Sequence, residues 1–294
     1  MKQLNYVLIT PVRNEEATIE ITIQSVLSQT VLPREWVIVS DESSDSTDDI
    51  VRRYVNMNSF IRLVRIEDRP QRSFDSVVFA TETGIKSLKD TGYDYICLLD
   101  ADVRFRPEYF ETLIKRFDEC PDLGLAGGLV LDVVDGKMRR SRQYLGEVAG
   151  ATQFFRRDCF EAIVPLIPVP EGGWDTITCV QARTKGYKTL TFPDLIVEHL
   201  KPRNIAEGNI IRRQWQLGQR DYALGYHPVF EVLKCISKFL EPLIILGTAA
   251  RLAGYTWCCI IGRKRVISTQ MIKMIRREQI NRLIPNFLSS SQRK

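Results

Sequence analysis

The sequence predicts an α/β protein: a mainly parallel central sheet flanked by helices, followed by a basic helical extension. Three observations carry this. Short apolar runs alternate with helical segments, the pattern of a doubly wound sheet. Three of those runs end on polar, acid-rich turns, and open parallel sheets bind ligands beyond the carboxyl ends of their strands. Charge is also unevenly divided along the 294 residues. Residues 1–200 carry 24 Lys and Arg against 31 Asp and Glu, a net −7, and residues 201–294 carry 17 against 5, a net +12, so the overall +5 conceals an acidic body and a basic tail piece.

The elements follow in order. Tyr6–Thr10 (YVLIT) is an apolar run closed by Pro11, as in a buried parallel strand. Glu15–Gln29 has Ile19, Ile23, Val26 and Leu27 at helical spacing, with acids in its first turn. Trp36–Ser40 is a second strand, Thr47–Tyr54 a helix after a turn of capping residues, and Ile61–Ile66 a third strand. Ser76–Lys89 reads as a helix and Tyr95–Leu99 as a fourth strand ending at Asp100. Beyond residue 104 the pattern loosens. Pro107–Glu119 starts as a helix with proline in its first turn. Leu123–Val134 and Val148–Phe155 are strand-like, and Arg156–Ile163 is helical. A helix opening at Glu171-Gly172-Gly173-Trp174-Asp175 runs to Thr184, and Thr189–Phe192 and Ile196–His199 are two short strands. Helices at Ile210–Tyr222, Val229–Leu240 and Val266–Leu283 flank the nearly apolar run Leu243–Ile261.

Composition limits the class. Hydrophobic residues are 44% and charged residues 26%, which excludes a disordered or collagen-like chain. The seven cysteines include no C-x-x-C pair, so reduced thiols are expected rather than a zinc site or a disulfide framework. Met1–Tyr6 lacks the apolar region and cleavage site of a secretory signal, so the body is expected in the cytoplasm.

The ordered motifs resemble family 2 glycosyltransferases, which have the Rossmann-like GT-A fold. Thr10-Pro11-Val12-Arg13-Asn14-Glu15 follows the first strand, Asp41-Glu42-Ser43-Ser44-Asp45-Ser46 the second, and Asp100-Ala101-Asp102 the fourth, where the family has its D-x-D motif. Phe155-Arg156-Arg157, Gly173-Trp174-Asp175, Gly186-Tyr187 and Val197-Glu198-His199 then follow in the family's order, so the likeness covers residues 4–200. The resemblance implies a nucleotide-sugar donor, UDP-linked in preference to GDP-linked, and a Mg²⁺ or Mn²⁺ ion. Two carboxylates one residue apart on a strand-end turn can hold one hard cation, which stabilises a departing diphosphate. Asp102 is then the direct metal ligand, Asp100 lies near the ribose and the metal, and Ala101 lies between them in the donor site. His199 is carried over as a further metal or phosphate contact. Thr10, Pro11, Arg13 and Glu15 are expected to line the nucleotide pocket, Asp41 to face the base, and Arg72 to approach base or diphosphate. The plainer alternatives are a helix-entry cap for Asp41, a first-turn acid for Glu15 and a solvated side chain for Arg72. Glu42 departs from the family's usual glycine.

An acceptor hydroxyl needs a base as it attacks. The resemblance puts that base at the start of the helix after the acceptor loop, where the usual acidic pair is replaced by Trp174-Asp175. Asp175 is therefore the expected base, with an N-cap as the plainer role. No second carboxylate stands as an obvious covalent nucleophile, which favours inversion.

Three segments follow from this division: a catalytic domain over 1–200, an acceptor-side helical segment over 201–228, and a membrane-associated region over 229–294. The run Leu243–Ile261 is near the lower length limit of a span, and Arg251 at its middle costs about 2.5–3.5 kcal/mol there. An interfacial hairpin on an anionic membrane surface is expected instead, peripheral or monotopic, on the cytoplasmic face with Arg263-Lys264-Arg265. The plainer reading is a buried core helix. Arg212, Arg213 and Arg220 are either acceptor-phosphate contacts or a solvated face.

The expected activity is inverting, metal-dependent transfer of a sugar to a hydroxyl of a lipid-linked glycan acceptor, in cell-surface polysaccharide or glycoconjugate synthesis. Nucleic acid is not an expected partner, and a homo-oligomer is compatible with the chain. Two alternatives stand beside it: loading a sugar onto a polyprenyl phosphate, and a non-catalytic membrane-bound glycan-binding partner. A sugar nucleotidyltransferase is disfavoured, because Thr10–Glu15 has no glycine for a triphosphate loop.

Overall fold

The structure, a computed structural model, describes residues 5–67, 76–140, 143–201, 210–236 and 245–291. The chain forms two compact units: Met1–Leu166 with Trp174–Arg203, and Ile167–Gly173 with Asn204–Lys294.

The first unit is a sheet with helices. Its strands are β1 (Tyr6–Val12), β2 (Glu35–Asp41), β3 (Ile61–Ile66), β4 (Tyr95–Leu99), β5 (Val103–Phe105), β6 (Leu123–Val134), β7 (Lys137–Arg140), β8 (Thr152–Arg156) and β9 (Lys188–His199). Its helices are α1 (Ile19–Leu27), α2 (Thr47–Met57), α3 (Ser76–Ser87), α4 (Tyr109–Glu119), α5 (Arg157–Ile163) and α6 (Trp174–Thr184). The strand order is β3-β2-β1-β4-β8-β6-β9-β5, with β7 paired to β6. The parallel, doubly wound expectation describes only β3-β2-β1-β4. From β8 onward the sheet is mixed: β4–β8, β6–β8 and β5–β9 are antiparallel, and β6–β9 is parallel.

The strand cores are buried because they are covered on both faces, which is why they read as continuous apolar runs. One face packs Tyr6, Leu8, Trp36 and Ile38 against Ile19, Ile23 and Phe110, and the other packs Val7, Ile9, Val37 and Val39 against α3. At Gly84 in α3 a Cβ would meet Ile9 and Val39 side chains at 2.6 and 2.9 Å. Glycine there lets the helix lie close on the sheet.

Three strands differ from expectation, and β5, only three residues long, was not expected at all. The two short strands of 189–199 are one strand, β9, whose pairing with β6 shifts register between Gly128 and Leu129 and resumes at Ile196. The strand β7 was not expected, because all four of its residues are exposed and none supplies an apolar face.

The second unit is helical: α7 (Ile210–Ala223), α8 (Pro228–Ile236), α9 (Ile245–Ile260) and α10 (Thr269–Ser291). Among the described residues no helix is long and apolar enough to cross a membrane. The run expected as an interfacial hairpin is, over its described residues, one continuous helix, α9. Its inner side packs on α7 so tightly that a Cβ at Gly218 would run into the Arg251 carbonyl, and one at Gly254 into that of Trp215. Arg251 itself is buried. It donates from Nε to Asp221 Oδ2 (2.9 Å) and Glu231 Oε1 (3.2 Å), and Lys234 Nζ reaches Asp221 Oδ2 (2.7 Å) and Glu231 Oε2 (3.0 Å). The arginine that would be costly in lipid therefore has two carboxylate partners in protein. His227 caps α8 by accepting from the Val229 N–H (3.2 Å).

Burial alone disfavours the charged form of Asp221, but Lys234, Arg251 and Arg220 outweigh it and hold its carboxyl well below the usual range. A carboxyl depressed on folding stabilises above its unfolded value, near 3.9, and that stability fades as pH falls through and below it. Asp221→Asn is expected to lower unfolding stability at neutral pH by about 3–5 kcal/mol, because it leaves buried cations undercompensated. Urea titration checks this, and the gap between the two proteins should narrow below pH 4.

Candidate active site

The site is built at the carboxyl ends of β1, β2 and β4. Beyond β1 the chain turns through Asn14, and beyond β2 through Glu42, each at φ 54. This left-handed region is costly for non-glycine residues. The two turns are tied to each other. Ser44 N–H donates to Asn14 Oδ1 (2.8 Å), Glu15 N–H to Thr47 Oγ1 (2.8 Å), Glu16 N–H to Asp45 Oδ2 (3.1 Å), and Ser46 N–H to Glu16 Oε2 (3.0 Å). Arg13 Nη1 lies 3.7 Å from both Asp41 Oδ2 and Glu42 Oε2. Glu42→Gly removes the left-handed strain at the cost of a half-exposed ion pair worth about 0–1 kcal/mol. It is expected to raise the melting temperature by a few degrees; a fall would mean that the Arg13 contact outweighs the strain.

Asp100 leaves β4 with its N–H bonded to the Ala151 carbonyl (3.0 Å). Asp102 sits just before β5, whose pairing with β9 sets Val103 opposite His199, and the Leu200 N–H donates to the Asp102 carbonyl (2.8 Å). His199 Nε2 is thereby 3.5 Å from Asp102 Oδ1 and 4.0 Å from Asp100 Oδ2. Asp100, Asp102 and His199 each offer one ligand atom, all within 4.8 Å of one another. The His199 Nδ1 contacts the Lys201 carbonyl. A carbonyl only accepts, so Nδ1 carries the proton, and in the neutral ring the Nε2 lone pair is turned to the two carboxylates.

The electrostatics fit a cation. Burial and then the neighbouring Asp102 push Asp100 up to about 7, with His199 opposing and Asp175 and Glu15 adding to the rise. Burial likewise raises Asp102, with His199 and Lys201 opposing. Buried carboxylates converging beside an imidazole nitrogen are what a hard divalent ion would stabilise.

The remaining expected residues fall as follows. Thr10 is fully buried, and its Oγ1 accepts from Trp36 Nε1 (2.9 Å), so its hydroxyl faces the core and only its main chain belongs to the strand end. Pro11 is half-buried within β1, paired in register with Val39. Asp41 is buried at the end of β2, and Ala101 is buried between the two aspartates. Glu15 Oε2 accepts from Thr18 Oγ1 (2.6 Å) and pairs with Lys201 Nζ (2.5 Å). Arg72 lies outside the described residues. Asp175 is half-buried in the first turn of α6, with Oδ1 accepting from the Thr176 N–H (2.9 Å) and Oδ2 from the Gly150 N–H (3.3 Å). Trp174 is half-buried against the core.

Two groups of positioning residues escaped the sequence reading. Gln153, fully buried in β8, donates to the Asp175 carbonyl (3.0 Å) and accepts from Thr178 Oγ1 (2.8 Å), fixing the first turn of α6. Thr22 and Ser25 on α1, with Gln29 just beyond its end, form a buried polar row that bonds the main chain from Ala101 to Phe110. Their spacing of three and four residues, beside an apolar stripe, was the available signal.

Comparison with known proteins is consistent with this geometry. A family model described as glycosyl transferase family 2 matches residues 7–165. The poly-beta-1,6-N-acetyl-D-glucosamine synthase of Staphylococcus aureus (strain COL) is 30% identical over 135 residues, which is 46% of this chain and 29% of that protein. The chain thus spans under a third of the length of the curated relatives it matches. Mannosyltransferase PcManGT from Pyrobaculum calidifontis, solved with GDP-Man and Mn²⁺, aligns with a TM-score of 0.55 at 18% identity, over 92% of this chain and 78% of that one. S. aureus TarS 1–349 in complex with UDP-GlcNAc aligns with a TM-score of 0.53 at 14% identity, over 88% and 92%. At such identities the structural likeness shows a shared fold.

Proposed function

The chain belongs to glycosyl transferase family 2 and is a glycosyltransferase of mixed α/β, GT-A-like fold, and from that premise we propose that it moves a sugar, with inversion, from a UDP- or GDP-linked donor to a hydroxyl of a lipid-linked glycan acceptor. The observation that carries this is the convergence of Asp100, Asp102 and His199 at the strand ends, within electrostatic reach of Asp175.

In this reading Asp41 and Arg13 meet the base end of the nucleotide, and Asp100 and Asp102, with His199, would hold Mg²⁺ or Mn²⁺. When bound, such an ion would supply positive charge to offset that of the departing diphosphate. The acceptor oxygen forms the new bond to the sugar's anomeric carbon, the bond to the diphosphate breaks, and the hydroxyl proton passes to the Asp175 carboxylate. Asp175 is held by two backbone N–H groups, which orient its carboxylate while leaving lone pairs for the incoming proton.

The same reading places the enzyme at the cytoplasmic face of a membrane, in polysaccharide or glycoconjugate synthesis. The outward side of α9 supports it: Leu246 is 72% and Ile260 78% exposed, Trp257 lies between them, and Lys264 follows. An apolar stripe with an interfacial tryptophan, in a C-terminal segment (201–294) of net +12, suits an anionic lipid surface. Flotation with anionic vesicles checks the attachment; protein left in the soluble fraction at low salt speaks against it.

The activity is tested by incubating UDP- and GDP-sugars with the protein, Mn²⁺ or Mg²⁺ and lipid-linked glycan acceptors. Cation-dependent release of nucleoside diphosphate with matching acceptor extension is expected. Donor binding with no transfer to any acceptor supports a binding partner instead.

A further inference from the structure

The buried polar row on α1 makes contact with the turn that carries the two aspartates. Thr22 is fully buried. Its Oγ1 lies 2.9 Å from the Ala101 carbonyl oxygen and 2.9 Å from that of Val103, and it accepts from the Val103 N–H at 3.0 Å. The Ala101 carbonyl belongs to the peptide before Asp102, and the Val103 N–H to the peptide after it. One hydroxyl therefore holds both peptide planes that flank Asp102. Ser25 repeats the arrangement three residues on: its Oγ donates to the Phe105 carbonyl and accepts from the Phe105 N–H, both at 3.0 Å. Gln29 follows, donating to the Arg106 carbonyl (2.9 Å). Side chains of a helix thus hydrogen-bond one edge of β5, while β9 pairs the other.

We propose that Thr22 is a positioning residue for the cation site: by clasping the peptides on both sides of Asp102 it fixes the direction of that carboxylate toward Asp100 and His199. The proposal rests on the cation reading of the site. Apart from the clasp, the main chain at Asp102 is held through its own carbonyl, which accepts from the Leu200 N–H. A ligand that must swing into place binds its ion more weakly, and loss of a group supporting a metal ligand typically costs about 10–100-fold in affinity.

Thr22→Val keeps the shape and removes both hydrogen-bonding roles. Thr22→Ser keeps the hydroxyl, and Ser25→Ala removes the next rung of the row. Mn²⁺ binding is read directly from the free-ion signal in electron paramagnetic resonance, with UDP and then GDP present, and thermal melts are recorded in parallel. Thr22→Val is expected to weaken Mn²⁺ binding by about 10–100-fold, and Thr22→Ser to retain it. Ser25→Ala is expected to lower the melting temperature while Mn²⁺ affinity is kept. If Thr22→Val binds Mn²⁺ as the unaltered protein does, or if Ser25→Ala weakens binding equally, the positioning role is overturned and Thr22 is only a packing residue. Absence of Mn²⁺ binding to the unaltered protein overturns the cation reading itself, and the proposal with it.

Discussion

Asp102→Asn is expected to lower sugar transfer by about a thousandfold or more, because in the proposed function it removes a ligand charge from the place where the leaving diphosphate would be neutralised. The informative companion measurement is stability without added cation. Burial holds both aspartates of the pair above the ordinary carboxylate range, so at neutral pH their ionised forms oppose folding. A carboxyl raised on folding costs stability above its unfolded value, and that cost vanishes as pH falls below it. Asp102→Asn removes one of the two charges. Its cation-free melting temperature should therefore be equal to or higher than that of the unaltered protein at pH 8, with the difference closing below pH 4. Lost activity with a gain in stability is the signature of a charge kept for chemistry. Lost activity with lost stability would instead assign Asp102 to the fold, and unchanged activity would sink the cation site.

Asp175→Asn is expected to reduce the rate constant of transfer by about 10²–10⁴-fold with little change in donor affinity, as befits loss of a base that acts only as the hydroxyl attacks. Asparagine keeps the size of the side chain and one carbonyl oxygen, so the bond from the Thr176 N–H can persist and the helix start should survive. The split between rate and donor affinity separates a base from a cap. A proportional loss of donor affinity and rate, or a lowered melting temperature beside unchanged transfer, would point to a structural part for Asp175.

Much of the first sheet was legible in the sequence because β1, β2 and β4 are covered on both faces and must be continuous apolar runs. The loosening beyond residue 104 has two physical causes. In β9, Pro193 and Asp194 break the apolar pattern, and only the partner strand, through its register shift, shows that the two halves are one element. For β7 the signal lay in the turn and not in the strand: Asp135 and Gly136 adopt φ 51 and 71, the left-handed pair that an Asp-Gly dipeptide supplies to a tight hairpin.

The site divides in the same way. Asp100 and Asp102 are separated by a single residue and follow a strand, so their placement was local. His199 reaches them through β5–β9 pairing across almost a hundred residues, which order of motifs suggested and no spacing could establish. Thr10 illustrates the opposite case, since a residue in a strand-end motif can turn inward when a buried indole N–H needs an acceptor. Arg251 misled by its surroundings. Within its own run it looks like a charge in a would-be lipid segment, but its carboxylates lie 30 and 20 residues away on two other helices.

That last feature also decides where the chain can be cut. Asp221 is on α7, Glu231 and Lys234 on α8 and Arg251 on α9, and the His227 N–H is held by Gln279 of α10 (2.8 Å). A chain shortened after residue 228 would leave Asp221 without either of its strongest cations, Lys234 and Arg251. A chain shortened before α10 would free the cap that opens α8. The four helices are thus one indivisible module for expression and for deletion mapping. Lost membrane binding in a protein trimmed inside it would report unfolding rather than a missing anchor, whereas replacing Leu246, Trp257 and Ile260 on the outer side of α9 leaves the charge network whole.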